Sequence, residues 1–163
     1  LSGQDYLATD REVTDASRER KTHTTVAMDF GRLTFEGGLS LQLLGTPGQQ
    51  RFDVMWEILA KGMMGFILLI DPAAPEAIQE AKHILTSFRR LRDVPSVVGV
   101  SHLEGTAAEK RAVLGAVRKN LSLPPAVPVV ACDARVKADA KKTLVKLLGE
   151  ILVRSGSERA AAG

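Results

Sequence analysis

The chain has 163 residues, 45% of them apolar and 25% charged, with a formal net charge of +3. That is the size of one ordinary domain with enough apolar side chains for a packed core, and the charge is too small to argue for a nucleic-acid partner. No apolar run approaches the ~20 residues of a membrane span, and the single cysteine, Cys132, can form no disulfide within the chain, which fits a reducing, cytoplasmic location.

The opening residues Leu1, Ser2, Gly3, Gln4 and Asp5 lack the basic-then-apolar order of a signal peptide, and no initiator Met stands before them. The sequence is therefore expected to begin inside a longer reading frame or after processing. Residues 1–23 are polar with weak periodicity and read as the end of a helix followed by a mobile loop. Residues 24–35, rich in Thr, Val and Phe, read as a strand. Glu36, Gly37 and Gly38 signal a turn, and residues 39–44 alternate apolar with polar, so the two strands predict an antiparallel hairpin.

Gly45, Thr46, Pro47 and Gly48 break the chain sharply. Phe52, Met55, Trp56 and Leu59 then fall at helical spacing, until Gly62 and Gly65. Residues 66–70 are continuously apolar, as expected of a strand covered on both faces of a parallel sheet. Ile78, Ala81, Ile84, Leu85 and Phe88 mark a helix that opens near Pro75 and closes in the basic turn Arg89, Arg90, Leu91, Arg92. A strand over 97–100, a helix over 107–120 and a last strand over 127–131 follow. An amphipathic helix over 137–153 carries Leu144, Leu147, Leu148 and Ile151 on one stripe. Cys132 sits in an apolar context and reads as a small buried hydrophobe. His23 and His83 have no carboxylate or Cys partner at ligand spacing and read as surface residues.

A hairpin followed by strand–helix units predicts an α/β three-layer domain over residues 1–153, with a mostly parallel sheet, one antiparallel edge strand and a frayed tail at 154–163. Functional residues in such sheets lie on loops beyond the carboxyl ends of the strands. Here those are the loops after Leu44, Val100 and Ala131.

Two stretches carry a family resemblance. One is Thr25, Val26, Ala27, Met28, Asp29, Phe30; the other is Leu41-Gln42-Leu43-Leu44-Gly45-Thr46-Pro47-Gly48-Gln49-Gln50-Arg51-Phe52. They resemble the two switch regions of Ras-like small GTPases. Gly45, where most of those proteins have a Mg²⁺-supporting Asp, and Pro47 before the Gly point to the bacterial MglA-like branch. The resemblance implies a P-loop GTPase-like fold that binds GTP or GDP with Mg²⁺, hydrolyses GTP slowly, and changes partners between two switch conformations.

Site residues follow from the same resemblance. Gly48, without a Cβ, lets its N–H approach a γ-phosphate oxygen. Thr25 offers a hydroxyl to Mg²⁺, or is simply a β-propensity residue beside Thr22 and Thr24. Gln49 is the catalytic candidate, orienting an attacking water. Ser101, His102, Leu103 and Glu104 stand where the guanine-reading loop is expected, with Glu104 the carboxylate toward the base. A plain surface loop is the competing reading of the same four residues. Ala134, in Cys132-Asp133-Ala134-Arg135, would add a backbone N–H at the base. Arg18, Arg20 and Lys21 are candidates for an arginine finger in cis, or a solvated basic loop.

No Gly-Lys-Ser/Thr phosphate loop occurs in the sequence. A first strand, phosphate loop and helix upstream of Leu1 is the simplest expectation, with residues 1–14 then ending that helix and starting the first switch. The alternatives are a fragment or a pseudo-GTPase. The leading functional expectation is a GTP-binding molecular switch with a Roadblock-type regulatory partner, acting in polarity, motility or signalling. The rival is a non-catalytic interaction module that binds partners by strand addition at the edge of residues 24–35.

Overall fold

The computed structural model describes residues 4–7, 29–35, 38, 40–46, 53–74 and 76–161, which fall into two compact units, Leu1–Pro47 and Gly48–Gly163.

The first unit is an antiparallel sheet of β1 (Gln4–Leu7), β2 (Asp29–Thr34) and β3 (Ser40–Gly45), in that order. Phe30 lies opposite Leu44 and Leu33 opposite Leu41, so the expected hairpin is present. At the turn, Gly38 has φ 82 and donates its N–H to Phe35 O at 3.2 Å. A left-handed backbone costs Gly nothing.

Two expectations are corrected here. Residues 4–7 are a strand, not the end of a helix. Their weak periodicity left the local signal open, and pairing with β2, Tyr6 opposite Gly31, decides it. That pairing also makes β2 the central strand, with β1 on one side and β3 on the other. The edge proposed for strand addition at 24–35 is therefore occupied along β2. Residues 24–28 lie outside the described residues.

The second unit runs α1 (Asp53–Ala60), β4 (Phe66–Ile70), α2 (Ala77–Leu91), β5 (Ser96–Val100), α3 (Ala107–Asn120), β6 (Val129–Ala131) and α4 (Lys137–Ala161). Its strands form a parallel sheet in the order β4-β5-β6, with Leu68 opposite Val98 and Val98 opposite Val129. Strand–helix alternation forces this, because parallel neighbours need a crossover. The core joins Leu68, Ile70, Val98 and Val100 of the sheet to Ala81 and Leu85 of α2 and to Val117 of α3. Gly65, one residue before β4, lies against Leu147 and Ile151 of α4; a Cβ there would come within 2.9 Å of Pro95 O.

The strands thus form two sheets where one was expected. Periodicity identifies strands but not their partners. Leu69 is 49% exposed, so β4 is not covered on both faces along its whole length. α4 also continues beyond the expected end at Val153. Arg154 bonds Glu158 one turn on, Ser157 Oγ donates to Val153 O, and Arg154 also reaches Asp93 at 2.7 Å.

Trp56 of α1 is fully buried against Phe88 and His83 of α2. His83 is therefore half-buried packing rather than a surface residue. Among the described residues Trp56 Nε1 has no hydrogen-bond partner. Arg92, expected only as part of a basic helix end, donates to the carbonyls of Ala60 and Lys61 and holds the C-terminus of α1.

Candidate nucleotide site at the carboxyl ends of the parallel strands

Asp71 follows β4, Ser101 follows β5 and Cys132 follows β6. The ladder runs one residue past each strand: Ser101 N–H donates to Ile70 O and Cys132 N–H to Val100 O, both at 2.9 Å. The three loops therefore start at the same level of the sheet. Cys132 is buried behind them, as expected, and Gly99 leaves it room: a Cβ on Gly99 would lie 3.1 Å from Cys132 Cβ.

His102 Nδ1 lies 2.9 Å from Asp71 Oδ2 and 3.3 Å from Ser101 Oγ. Proton positions follow from what each partner can do. Ser101 Oγ is 3.2 Å from Ile70 O, an acceptor only, so the hydroxyl proton goes there. An ionised Asp71 also only accepts. Nδ1 therefore carries the ring proton and shares it between Asp71 and Ser101. The other Asp71 oxygen, Oδ1, accepts from Ala73 N–H at 3.0 Å. Both of its oxygens are thereby fixed.

Ser101, His102 and Asp71 are not a nucleophilic triad. That chemistry needs the Ser and the carboxylate on opposite ring nitrogens, and here both address Nδ1. His102 has φ 53, a conformation uncommon outside Gly. The two contacts at Nδ1 hold the ring in place. Leu103 turns back onto the core, Glu104 is exposed, and Gly105, with φ 88, brings the chain to the Thr106–Glu109 capping box of α3.

In the third loop Arg135 grips Asp133 through Nε and Nη2 at 2.9 and 2.8 Å, and through its backbone N–H at 3.0 Å. The Arg135 side chain first, then its N–H, pull the Asp133 carboxyl down to about 2. β5 and β6 are parallel neighbours, with Val100 opposite Ala131, so the third loop starts beside the second. Ala134 is exposed on that loop.

The structure thus gathers Ser101 and His102 with Asp71, and brings the loop of Ala134 beside them. No local sequence signal marks Asp71 as a site residue. The separation of 31 positions between it and His102 hides the pair from any spacing rule, and only the parallel register reveals it. Glu104 is not drawn into the hydrogen-bonded cluster. Thr25, Gly48 and Gln49, and with them Arg18, Arg20 and Lys21, lie outside the described residues. Among the described residues no group of three or more His, Cys, Asp or Glu side chains could hold a metal ion. No described helix is long and apolar enough to cross a membrane.

The model of one protein family, described as a conserved hypothetical ATP binding protein, matches residues 3–153. This match overturns the expected membership in the MglA-like branch of the Ras-like GTPases. The switch-like stretches are short, and the family match extends over nearly the whole chain. The guanine preference, the Roadblock-type partner and the role in polarity or motility were implied by that resemblance and lose its support. Nucleotide binding does not.

Proposed function

The chain belongs to this family of ATP-binding proteins, and from that premise we propose that it binds a nucleoside triphosphate at the carboxyl ends of β4, β5 and β6 and hydrolyses it slowly. The observation that carries the reading is the meeting of the three loops, with His102 fixed on Asp71 at 2.9 Å. The crevice beyond the carboxyl ends is where open parallel sheets bind ligands. In this reading Ser101, His102, Glu104 and Ala134 face the base. The Gly48 N–H serves a γ-phosphate oxygen, and Mg²⁺ comes with the nucleotide. Gln49 orients the water that attacks the γ-phosphorus, releasing the nucleoside diphosphate and phosphate. Partner binding then changes with the phosphate's presence, because contacts to a γ-phosphate exist only before hydrolysis.

The test is equilibrium binding of fluorescent mant-ATP with Mg²⁺, with phosphate release measured in the wild type and in Gln49→Ala. Micromolar or tighter binding is expected, with release lost in the variant and binding kept. A folded sample that binds no nucleotide overturns the reading.

A further inference from the structure

The donor and acceptor pattern around His102 has a consequence for which base is bound. An imidazole whose one ring proton sits on Nδ1 carries its lone pair on Nε2. The anchored nitrogen is Nδ1 and the side chain is 53% exposed, so the open edge of the ring is the Nε2 edge. Among the described residues Nε2 has no hydrogen-bond partner. The charged side chains nearby are Asp71, holding Nδ1, and Asp133, whose charge is already taken by Arg135.

We infer that His102 Nε2 is the base-selecting group of this site, accepting a hydrogen bond from the exocyclic 6-amine of adenine, and that Asp71 is the positioning residue that makes it an acceptor. Adenine presents an amine donor at position 6 and guanine presents a carbonyl oxygen. An acceptor aimed at that position pairs with the first and opposes the second. The inference rests on the nucleotide site proposed above and names the base that site takes.

Asp71→Asn provides the decisive test, because it preserves shape and inverts the pattern. Ala73 N–H needs an acceptor, so the Asn carbonyl oxygen turns to it. That leaves the Asn NH₂ facing His102 Nδ1. Nδ1 must then accept, the ring proton moves to Nε2, and Nε2 becomes a donor. A residue with a merely structural role would not reverse a preference.

The experiment measures dissociation constants for ATP, GTP and purine riboside triphosphate, which lacks the 6-amine, in the wild type, Asp71→Asn and His102→Ala. The wild type is expected to prefer ATP over purine riboside triphosphate about tenfold, the scale of one hydrogen bond. It is expected to prefer ATP over GTP by at least as much. Asp71→Asn should reverse the ATP-to-GTP ratio, and His102→Ala should bring it near one. Side-chain ¹⁵N shifts of His102 should show the proton on Nδ1 in the wild type and on Nε2 in Asp71→Asn. Nucleotide binding with the same base ratio in all three proteins overturns the inference and leaves the proposed function standing. Loss of binding for every nucleotide in the folded wild type overturns both.

Discussion

β3 and β5 are similar in length and opposite in environment. Every residue of β5 is buried, whereas in β3 only Leu41 is even half-buried. The Phe30–Leu44 pair of the antiparallel sheet is 43% and 46% exposed, while Val97 and Val98 of the parallel sheet have no exposed surface. Backbone pairing alone therefore does not account for the fold's stability. The apolar burial that offsets chain entropy is concentrated where α2, α3 and α4 cover β4, β5 and β6. The proposed nucleotide site therefore stands on the well-buried sheet.

The strongest way to break this comparison is Val98→Asp. An unpaired carboxylate in the centre of the parallel sheet costs several kcal/mol, about the whole stability of a domain this size. Loss of the cooperative urea transition by circular dichroism is expected. A variant that still unfolds cooperatively near the wild-type midpoint would show that β5 is not the stabilising centre.

A subtler probe is Gly99→Ala. The new Cβ would stand 2.7 Å from Leu69 Cδ2 and 3.1 Å from Cys132 Cβ. Leu69 is half-exposed and can swing away; Cys132 Cβ is fixed by its backbone. A loss of about 1–2 kcal/mol is expected, and adding Leu69→Ala should recover only a minor part of it. Full recovery in that double variant would place the crowding on Leu69 alone.

The legibility of the sequence divides along the same line. β4, α3 and the buried Cys132 could be read locally, because a run of apolar residues or a helical stripe states its own environment. The capping box of Thr106 and Glu109 also has a local signature, a Thr followed three residues later by a Glu. The strand at Gln4–Leu7 has no local pattern and depends on pairing with β2, which starts well beyond it in the chain, at Asp29. Asp71 and His102 belong to different strand–loop units, so their meeting is a property of the parallel register. Ser101 and His102 were placed at the site by the loop they occupy. Their carboxylate partner could not be named without the fold. Family membership, in turn, is not settled by two short switch-like stretches; the match that shows it runs over residues 3–153.

On the exposed side of the comparison, Leu44→Thr should change stability by no more than about 0.5 kcal/mol in urea unfolding. The residue is nearly half-exposed, and Thr brings a β-branched side chain that suits a strand. A loss of 2 kcal/mol or more would mean that the antiparallel sheet carries apolar burial comparable to β5, and the contrast between the two sheets would fail.

The smallest effect is expected at the rim itself. Arg135 holds the Asp133 carboxyl down to about 2, below the ordinary Asp value of about 4. A depressed carboxyl contributes stability that is fully present above its unfolded value and lost as the pH falls through its folded one. The Asp133–Arg135 pair should therefore lose its contribution between about pH 4 and about pH 2. Because both groups are solvent-screened, the change in melting temperature should be slight. The clearer readout is NMR titration of the Asp133 carboxyl, which should move up to the ordinary range in Arg135→Ala. An unchanged titration would mean that the backbone N–H of residue 135, which the variant retains, holds the carboxylate by itself, and that the third loop keeps its shape without the arginine side chain.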